Sequence, residues 1–390
     1  MSVRILVVDD EPDLENLVRQ KFRKEIRASQ FEFLFAENGV DAIDTLKREG
    51  DVDLILTDIN MPEMDGLTLL SKLHEFDHSA FKSVIVSAYG DMENIRTAMN
   101  RGAFDFVTKP IDLQDLETTI HKSLNELQLL KQGVESTHKL LAIEQELRVA
   151  TDIQMSILPQ TFPPFPDKRE IEVYAKMLPA KEVGGDLYDF FAIDKDRIGF
   201  VIGDVSGKGV PAAMLMAVCR TLLRATALRG IAPDACLDAV NRVLVDESLS
   251  SMFVTVFYGV LNTRNGRLEY CSGGHNPPYL LFGDGRVDQL DNAGGLAVGA
   301  MEDSEYQSNM ITLQPGDAVF LYTDGVTEAV NANEDLFEEH GLEDSLQRFR
   351  DRPVKELVEK VIEVVQEFSR GVPQADDITC LAIRYAGRAG

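Results

Sequence analysis

Three aspartates in the N-terminal third of the chain follow short apolar runs. Asp9 and Asp10 end ILVVDD, and Asp58 ends LILTD. A cluster of carboxylates is costly unless a cation neutralises it, and Mg²⁺ suits the cluster because its ligands are oxygens. With Mg²⁺ bound, one carboxylate can attack a phosphoryl group as a nucleophile and form an acyl phosphate. We predict that Asp58 is this nucleophile and that the three aspartates form a magnesium site.

Two polar residues end later apolar runs of the same region. Ser87 ends SVIVS, and Lys109 ends DFVTK. The lysine can hold one phosphoryl oxygen, and the serine hydroxyl can bond another. The peptide bond before Lys109 or the one after it, to Pro110, is expected to take an unusual conformer, since cis bonds are largely an X-Pro feature. These residues complete a predicted phosphoryl-transfer site.

A second set of aspartates occurs in the C-terminal half, each at the end of a β-like run and often beside glycine. They lie in GGDLYDFF, IGDVSGKG, LYTDGVTEA and QADDITCLAI, and they are Asp186, Asp204, Asp324, Asp376 and Asp377. Ligation by carboxylates without His or Cys selects Mg²⁺ or Mn²⁺ over zinc. Two such ions about 4 Å apart can activate a water and clamp phosphoryl oxygens without a protein nucleophile. We therefore predict a two-metal site that hydrolyses phosphate esters.

The glycine pair around Lys208 is typical of phosphate-binding loops, but two nucleotide interpretations fit it poorly. A P-loop needs Ser or Thr after its lysine, and Gly209 stands there. Gly207, Gly209 and Ala212 meet the loose dinucleotide pattern, but the acidic residue expected about 20 positions later is missing. We conclude that the glycines serve Asp204. Lys208 is then either a phosphate contact or a solvated turn residue.

His275, in SGGHNPP, is a candidate general acid. The alternative is a histidine that orders a loop after a strand. We favour the second interpretation, because the surrounding stretch is rich in turn residues.

The elements that must position these residues differ between the two halves. Residues 1 to about 120 alternate buried apolar runs with amphipathic stretches, which predicts a doubly wound α/β domain with a parallel sheet. In that architecture ligands bind beyond the carboxyl ends of the strands. This is where the polar residues of the first set fall.

A long helix is predicted to follow, because no proline and a single glycine occur between Pro110 and Pro159. Apolar residues at 3,4 spacing form one coiled-coil seam: Leu113, Leu116, Ile120, Ser123, Leu127, Leu130, Val134, Thr137 and Leu141. A second seam, one residue out of phase, contains Leu140, Ile143, Leu147, Ala150, Gln154 and Ile157. The helix is either a solvated spacer or a dimerising signalling helix, and we favour the latter.

The chain from about residue 161 onward predicts a separate α+β sandwich. FVTVFYGVLNTRNGRLEYCSGG is typical of a hairpin with its turn at Arg264, Asn265 and Gly266. Two stretches have helical periodicity, PAAMLMAVCRTLLRATAL and PVKELVEKVIEVVQEFSRG.

Composition excludes several classes of function. The 65 acidic residues outnumber the 39 basic ones, giving a net charge of −26, so direct binding to nucleic acid is not expected. The four cysteines are far apart and are expected to be reduced packing residues. We find neither a signal-peptide pattern nor an apolar stretch of 18 residues, so we expect a cytoplasmic protein without a membrane segment.

The motifs of the first half, VDDEPD, LTDINMPEMDG, VSAYG and TKP, resemble the receiver domain of bacterial two-component response regulators over about residues 1–122. The resemblance implies that a sensor histidine kinase phosphorylates Asp58. It also implies that Asp10 and Asp58 hold Mg²⁺ with Asp9 nearby, and that Ser87 and Phe106 form the coupled switch pair. Phe106 stands where many members carry Tyr.

GGDLYD, GDVSGKG, SGGHNPPYLL, LYTDGVTEA and DDIT resemble the metal-dependent protein serine/threonine phosphatases of the protein phosphatase 2C fold. The match is to the bacterial subclass that controls sporulation and general-stress sigma factors. The resemblance implies that Asp204 bridges two Mn²⁺ or Mg²⁺ ions, that Asp186 serves the first ion, and that Asp324 and Asp376 serve the second. The full set of predicted catalytic and metal positions is Asp186, Asp204, Val205, Asp324, Asp376 and Asp377.

Together these features predict a receiver domain at 1–122, a helical coiled-coil linker at 123–160 and a phosphatase domain at 161–390. Phosphorylation of Asp58 is expected to control the phosphatase in a homodimer joined through the linker. The resemblance implies that the substrate is a phosphorylated anti-sigma-factor antagonist. The alternative is a non-catalytic adaptor that binds a stress sigma factor or its regulators, as in relatives that have lost the metal ligands.

Overall fold

The structure is a computed structural model that describes residues 2–73, 81–88, 90–247, 252–291 and 294–387. Contacts within the chain divide it into two compact units, Met1–Ile143 and Glu144–Gly390.

The first unit is built on a parallel sheet. Its elements are β1 (Val3–Val8), α1 (Pro12–Lys21), α2 (Arg23–Arg27), β2 (Phe31–Ala36), α3 (Gly39–Glu49), β3 (Leu54–Asp58), α4 (Gly66–Leu73), β4 (Lys82–Ala88), α5 (Met92–Asn100), β5 (Asp105–Lys109) and the start of α6 (Leu113–Ile157). The strand order is β2-β1-β3-β4-β5, and every pair is parallel. The predicted doubly wound α/β fold is confirmed.

Helices cover both faces of this sheet, and successive side chains of a strand point to opposite faces. Ile5 and Val7 of β1 pack in one cluster with Val18 of α1 and Ile120 of α6. Leu6 and Val8 belong to the opposite cluster, which includes side chains of α3 and α4. The continuous apolar runs therefore reflect strands covered by helices on both sides.

Helix α6 is continuous from Leu113 to Ile157, close to the predicted span. Its first turns belong to the core of the first unit, where Leu116, Ile120, Ser123 and Leu127 are buried. This part of the first predicted seam is wrong as a dimer contact, because the chain's own strands already cover it. At the other end of the helix, Gln154 is buried within the second unit.

The second unit contains two stacked sheets with helices outside them. Its elements after α6 are β6 (Ile171–Leu178), β7 (Leu187–Ala192), β8 (Arg197–Val205), α7 (Val210–Ala227), α8 (Pro233–Glu247), β9 (Val254–Asn262), β10 (Arg267–Gly273), β11 (Tyr279–Leu281), β12 (Val287–Gln289), β13 (Gly294–Gly295), β14 (Asn309–Thr312), β15 (Ala318–Tyr322), α9 (Asp324–Thr327), α10 (Glu338–Phe349), α11 (Val354–Phe368) and β16 (Ile378–Tyr385). One sheet has the order β13-β10-β9-β8-β7, with β14 beside β10, and the other has the order β12-β11-β15-β16-β6.

The layers follow the order helix, sheet, sheet, helix. Helices α7 and α8 contact the first of these sheets, and α11 contacts β6 and β16 of the second. Strands β9 and β10 form the predicted hairpin. Gly266 closes its turn at φ 72°, and a Cβ there would lie 2.2 Å from the carbonyl oxygen of Leu313. The predicted α+β sandwich is confirmed.

The prediction of two helices in the second half is wrong, because α8, α9 and α10 are also present. Helix α8 buries Cys236, Leu237, Val240 and Leu244, which is an amphipathic pattern that the sequence does carry. Helix α10 is mostly polar, and α9 has four residues, too few for a periodic signal.

Helix α7 meets the length and composition of a membrane span, with a mean hydropathy of 1.3 over 18 residues, so the expectation that such a stretch is missing is wrong. Its buried side chains belong to the core cluster that includes the first of the two sheets: Ala212, Met216, Cys219, Leu223 and Ala227. Part of the apolar surface of α7 therefore faces the core of the second unit.

Candidate phosphorylation site and metal centre

The carboxyl ends of β1, β3 and β5 bring the first predicted site together. The ammonium of Lys109 lies 2.7 Å from Oδ2 of Asp58, 3.0 Å from Oδ2 of Asp9 and 3.2 Å from Oε1 of Glu11. Carboxylate oxygens of Asp9, Asp10 and Asp58 lie within 4.8 Å of one another. The sequence analysis did not predict Glu11 as part of this site. Its position directly after Asp9 and Asp10 in VDDEPD is the feature that could have indicated it.

Electrostatics at this sheet edge favour a hard cation. Burial raises the pKa of Asp9, despite bonds from the Glu11 amide and Lys109 that lower it. Burial alone would lower the pKa of Lys109, but hydrogen bonds and charges from Asp58 and Asp9 raise it. Three carboxylates with one fully charged lysine retain net negative charge, and all their donors are oxygens. The set therefore fits Mg²⁺.

Ser87 and Phe106 lie on neighbouring strands. Ser87 is the penultimate residue of β4, its side chain is fully buried, and its hydroxyl has no hydrogen-bond partner among the described residues. Such a hydroxyl is able to bond an oxygen that enters the site. Phe106, on β5, is 37% exposed and pairs in register with Ile85. The peptide bond between Lys109 and Pro110 is cis, which is one of the two predicted alternatives.

The second predicted site lies where strands of the two sheets of the second unit end. Asp186 precedes β7, Asp204 is the penultimate residue of β8, and Asp324 follows β15. Asp376 and Asp377 precede β16. Strands β7 and β8 pair with each other in one sheet, and β15 and β16 pair in the other.

Two threonines connect Asp186 to the opposite sheet. Oδ2 of Asp186 accepts a hydrogen bond of 2.8 Å from the hydroxyl of Thr323 and a second bond from the hydroxyl of Thr379. The Asp186 residue is 1% exposed. Sequence reasoning missed both threonines, although each lies within two residues of a predicted acid in the motifs YTDG and DDIT.

The two adjacent acids before β16 have different surroundings. Asp377 is buried, and its Oδ1 and Oδ2 accept backbone bonds from Ala180 at 2.8 Å and from Gly185 at 2.7 Å. A Cβ at Gly184 would lie 2.1 Å from Oδ2 of Asp377, so this close approach requires glycine. The Asp376 side chain is more exposed. These contacts favour Asp376 as a ligand and give Asp377 the role of holding the loop before Asp186.

The acids of this second site raise one another's proton affinity. Burial raises the pKa of Asp186, and the charges of Asp204 and Asp377 add to the effect. Burial also raises the pKa of Asp204, with further contributions from Asp324 and Asp376. A cation relieves this cost, so the donor set fits divalent metal ions.

The second site is wider than the first. Among the described residues, no three of its acids have oxygens all within 4.8 Å of one another, whereas Asp9, Asp10 and Asp58 do. Val205, the last residue of β8, is buried, and its carbonyl oxygen would lie 2.9 Å from a Cβ placed on Gly185.

The sequence did not decide the roles of Lys208 and His275, and the structure gives both side chains defined partners. The Lys208 ammonium lies 2.7 Å from Oδ2 of Asp376 and 2.6 Å from the carbonyl oxygen of Ala375. His275 is buried, and its Nε2 lies 3.1 Å from the carbonyl oxygen of Tyr322, so Nε2 carries the proton and donates. Its Nδ1 then accepts from the hydroxyl of Thr255 at 3.0 Å.

Burial lowers the pKa of His275 to about 4. A neutral imidazole with both nitrogens bonded is poorly suited to protonate a leaving group. The contacts favour the loop-ordering interpretation, in which His275 joins β9 to the end of β15.

Comparison with known families matches both halves of the chain. Residues 5–121 match the response regulator receiver domain. Residues 194–386 match the family described as stage II sporulation protein E (SpoIIE).

Individual proteins show the same division. The chemotaxis protein CheY of Bacillus subtilis is 36% identical over 126 residues, covering 32% of this chain and all of CheY. Protein IcfG of Synechocystis sp. is 31% identical over 265 residues, and phosphoserine phosphatase RsbU of Bacillus subtilis is 29% identical over 242 residues. These matches cover 61% and 62% of this chain. The chain spans 41% of the length of IcfG and 70% of that of RsbU.

Among solved structures, the RsbU and RsbW domains of Rv1364c from Mycobacterium tuberculosis superpose with a TM-score of 0.51 at 29% identity. That match covers 56% of this chain and 61% of the other.

Proposed function

The chain belongs to the response regulators, with a receiver domain followed by a phosphatase domain of the SpoIIE type, and we propose that phosphorylation of Asp58 controls hydrolysis of phosphoserine or phosphothreonine on another protein. A sensor histidine kinase supplies the signal. The substrate is a small phosphoprotein of the anti-sigma-factor antagonist class, and the protein acts in the cytoplasm. The observation that carries the proposal is the convergence of four acids, Asp186, Asp204, Asp324 and Asp376, at one end of the sandwich.

In the receiver, Asp58 is the group that accepts the phosphoryl. Its Oδ2 is held by Lys109 at 2.7 Å, whereas Oδ1 has only a 3.4 Å bond from the Asn60 N–H, so Oδ1 is the oxygen that attacks phosphorus as the bond from phosphorus to the kinase histidine breaks. Mg²⁺ held by Asp9, Asp10 and Asp58 would neutralise charge on the incoming phosphoryl oxygens. Lys109 and the Ser87 hydroxyl then bond the phosphoryl group once it is on Asp58.

In the phosphatase domain, Asp186, Asp204, Asp324 and Asp376 would hold two Mn²⁺ or Mg²⁺ ions, which when bound supply an activated water and neutralise the phosphate ester. The chain's own contribution is orientation. Thr323 and Thr379 fix the Asp186 carboxylate, while Asp377 holds the backbone of Gly185. The four acids proposed as ligands are all present in this chain, in contrast to an adaptor that has lost its ligands.

The end of α6 offers a physical connection to this site. The Gln154 amide bonds both backbone groups of Gly184, donating to the carbonyl at 2.6 Å and accepting from the N–H at 3.1 Å. The hydroxyl of Thr151 donates to the carbonyl of Glu182. A shift of these last turns would move the segment that carries Asp186. We propose that phosphorylation acts through this contact, as a two-state element requires.

The middle of α6 is the proposed dimer contact. It presents an exposed apolar series: Leu129, Leu130, Val134, Leu140, Leu141 and Ile143. A second copy of the helix, packed in parallel, would bury Leu130, Val134 and Leu141, which belong to the first seam. Size-exclusion chromatography with light scattering should give a mass of two chains for the wild type. The Val134→Glu variant should have the mass of one chain. A monomeric wild-type protein with and without a phosphoryl donor would contradict the dimer.

Manganese-dependent hydrolysis of an aryl phosphate by the full chain tests the enzymatic proposal. Asp204→Asn should reduce the rate about a hundredfold or more, because Lewis-acid stabilisation is worth several kcal/mol. Asp344→Asn, on an exposed stretch of α10, is the matched control and should keep the wild-type rate. Undiminished turnover in Asp204→Asn would refute the site, and a wild-type chain that neither binds Mn²⁺ nor turns over would favour the adaptor.

The coupling is tested with acetyl phosphate as the phosphoryl donor for Asp58. Adding it should change the rate of the wild-type chain, and Asp58→Asn should lose the response. Gln154→Ala should also lose the response while the acyl phosphate on Asp58 still forms, as measured by mass. Gln132→Ala, on an exposed part of the same helix, should respond as wild type. A normal response in Gln154→Ala excludes this contact as the route.

A further inference from the structure

Lys208 lies in the short loop between β8 and α7, four residues after Asp204. The glycines on either side of it, Gly207 and Gly209, have φ values of 94° and 77°. Such values are strained for other residues, so the loop's path depends on this glycine pair. The lysine side chain is 43% exposed, and a Cβ at Gly209 would contact nothing within 4 Å. The loop therefore has space in which to move its lysine.

The ammonium of Lys208 is anchored at two points on the segment before β16. It lies 2.7 Å from Oδ2 of Asp376 and 2.6 Å from the carbonyl oxygen of Ala375. The other oxygen of Asp376, Oδ1, accepts a hydrogen bond of 2.9 Å from the N–H of Asp377. Both carboxylate oxygens of this candidate ligand are thus engaged by the chain itself.

Among the described residues, Lys208 is the one basic side chain that forms an ion pair with an acid of the second site. Asp186, Asp204, Asp324 and Asp377 have no ion-pair partner there within 4.0 Å. The negative potential of these carboxylates attracts the Lys208 ammonium, and it would attract a metal cation to the same place. Lys208 and a divalent ion are therefore alternative partners for Oδ2 of Asp376.

We propose that Lys208 is a displaceable latch: its ammonium leaves Oδ2 of Asp376 when that oxygen would bind a divalent cation, and the freed ammonium then contacts the phosphate of the substrate. This inference rests on the proposed phosphatase function and assigns its phosphate-binding group. A lysine suits the task because its compact charge sits on a long flexible stem. The latch thus links metal loading to substrate binding.

The first test measures two affinities on the full chain with opposite expected signs. Lys208→Met should bind Mn²⁺ about two- to fivefold more tightly by calorimetry, because a partly exposed competing ion pair is lost. The same variant should be inhibited more weakly by inorganic phosphate in the aryl phosphate assay, again by several fold. A residue that only stabilises the loop would weaken both affinities, so that result overturns the proposal.

The second test follows the lysine itself. The full chain is treated with an amine-acetylating reagent with and without Mn²⁺, and acetylation is quantified by mass spectrometry. Lys208 should become several times more reactive when Mn²⁺ is present. Lys360 is the internal control, since it is 49% exposed and pairs with Glu363 at 2.6 Å away from the site. Equal reactivity of Lys208 under both conditions overturns the latch.

The two proposals fail in different ways. If the wild-type chain binds Mn²⁺ and hydrolyses the ester but Lys208→Met does the same with unchanged affinities, only the latch is wrong. If the wild-type chain neither binds Mn²⁺ nor hydrolyses the ester, the phosphatase proposal is wrong and the latch falls with it.

Discussion

The buried histidine between β9 and β15 predicts a specific loss of stability in mild acid. Burial lowers the pKa of His275 from its ordinary value of 6.5 to about 4. The folded state therefore favours the neutral imidazole, and the unfolded chain binds the proton more readily. Stability from this residue is fully present above pH 6.5 and is lost as the pH falls toward 4.

The magnitude follows from the two pKa values. Their difference of about 2.5 corresponds to about 3.4 kcal/mol when the loss is complete. At pH 5 the unfolded chain is almost fully protonated at His275 and the folded chain hardly at all. The free energy of unfolding should then be about 2 kcal/mol lower than at pH 7.5 on account of this residue alone.

Urea unfolding of the full chain measures this effect selectively. Of the nine tyrosines, only Tyr89 precedes residue 144, so tyrosine fluorescence reports on the second unit. The stability difference between wild type and His275→Gln should shrink by about 2 kcal/mol from pH 7.5 to pH 5, since other titrating groups cancel in the difference. His340→Gln, at a side chain 83% exposed, is the control. A pH-independent difference would refute the assignment of a neutral, buried His275.

Three further substitutions test packing, helix propensity and a buried ion pair. Gly184→Ala should lower the stability of the second unit and weaken Mn²⁺ binding, because its Cβ would lie 2.1 Å from Oδ2 of Asp377; urea unfolding and calorimetry check this, and unchanged values contradict the packing. Gly133→Ala, on the exposed part of α6 where no atom lies within 4 Å, should raise helix stability by about 1 kcal/mol, seen as a higher thermal midpoint by circular dichroism. Asp189→Ala should cost about 3 kcal/mol in urea unfolding, because this buried carboxylate neutralises Arg220 and Arg224; a cost below about 1 kcal/mol would show that the pair is solvated.

Local sequence patterns were enough to predict most of the fold. The apolar runs ILVV and LILT identified covered parallel strands, because a strand buried on both faces needs no polar alternation. The Asn-Gly turn identified the hairpin of β9 and β10. Helix α10 was missed because its apolar series is short: Leu342 and Leu346 are its buried apolar side chains, and most of its other residues are polar.

Spacing along a helix did not reveal which surface it meets. Leu116 and Leu130 belong to the same predicted seam, yet the first is 1% exposed and the second 43%. Periodicity shows that one face of the helix is apolar. Which surface that face packs against depends on how far the sheet extends beside the helix. The first seam was therefore predicted as a dimer contact along its whole length, although its first turns pack on the chain's own core.

The sequence by itself determined which residue types could do chemistry and that they lie at strand ends: acids after β1 and at the end of β3, lysine at the end of β5, and further acids at the strand ends of the sandwich. Only the tertiary structure separated Asp376 from Asp377, gave Asp186 its two threonine partners and anchored Lys208 on Asp376. Adjacent residues are nearly equivalent in a motif. Their side chains differ in burial and partners because elements distant in sequence pack around them, and that packing is a property of the folded chain.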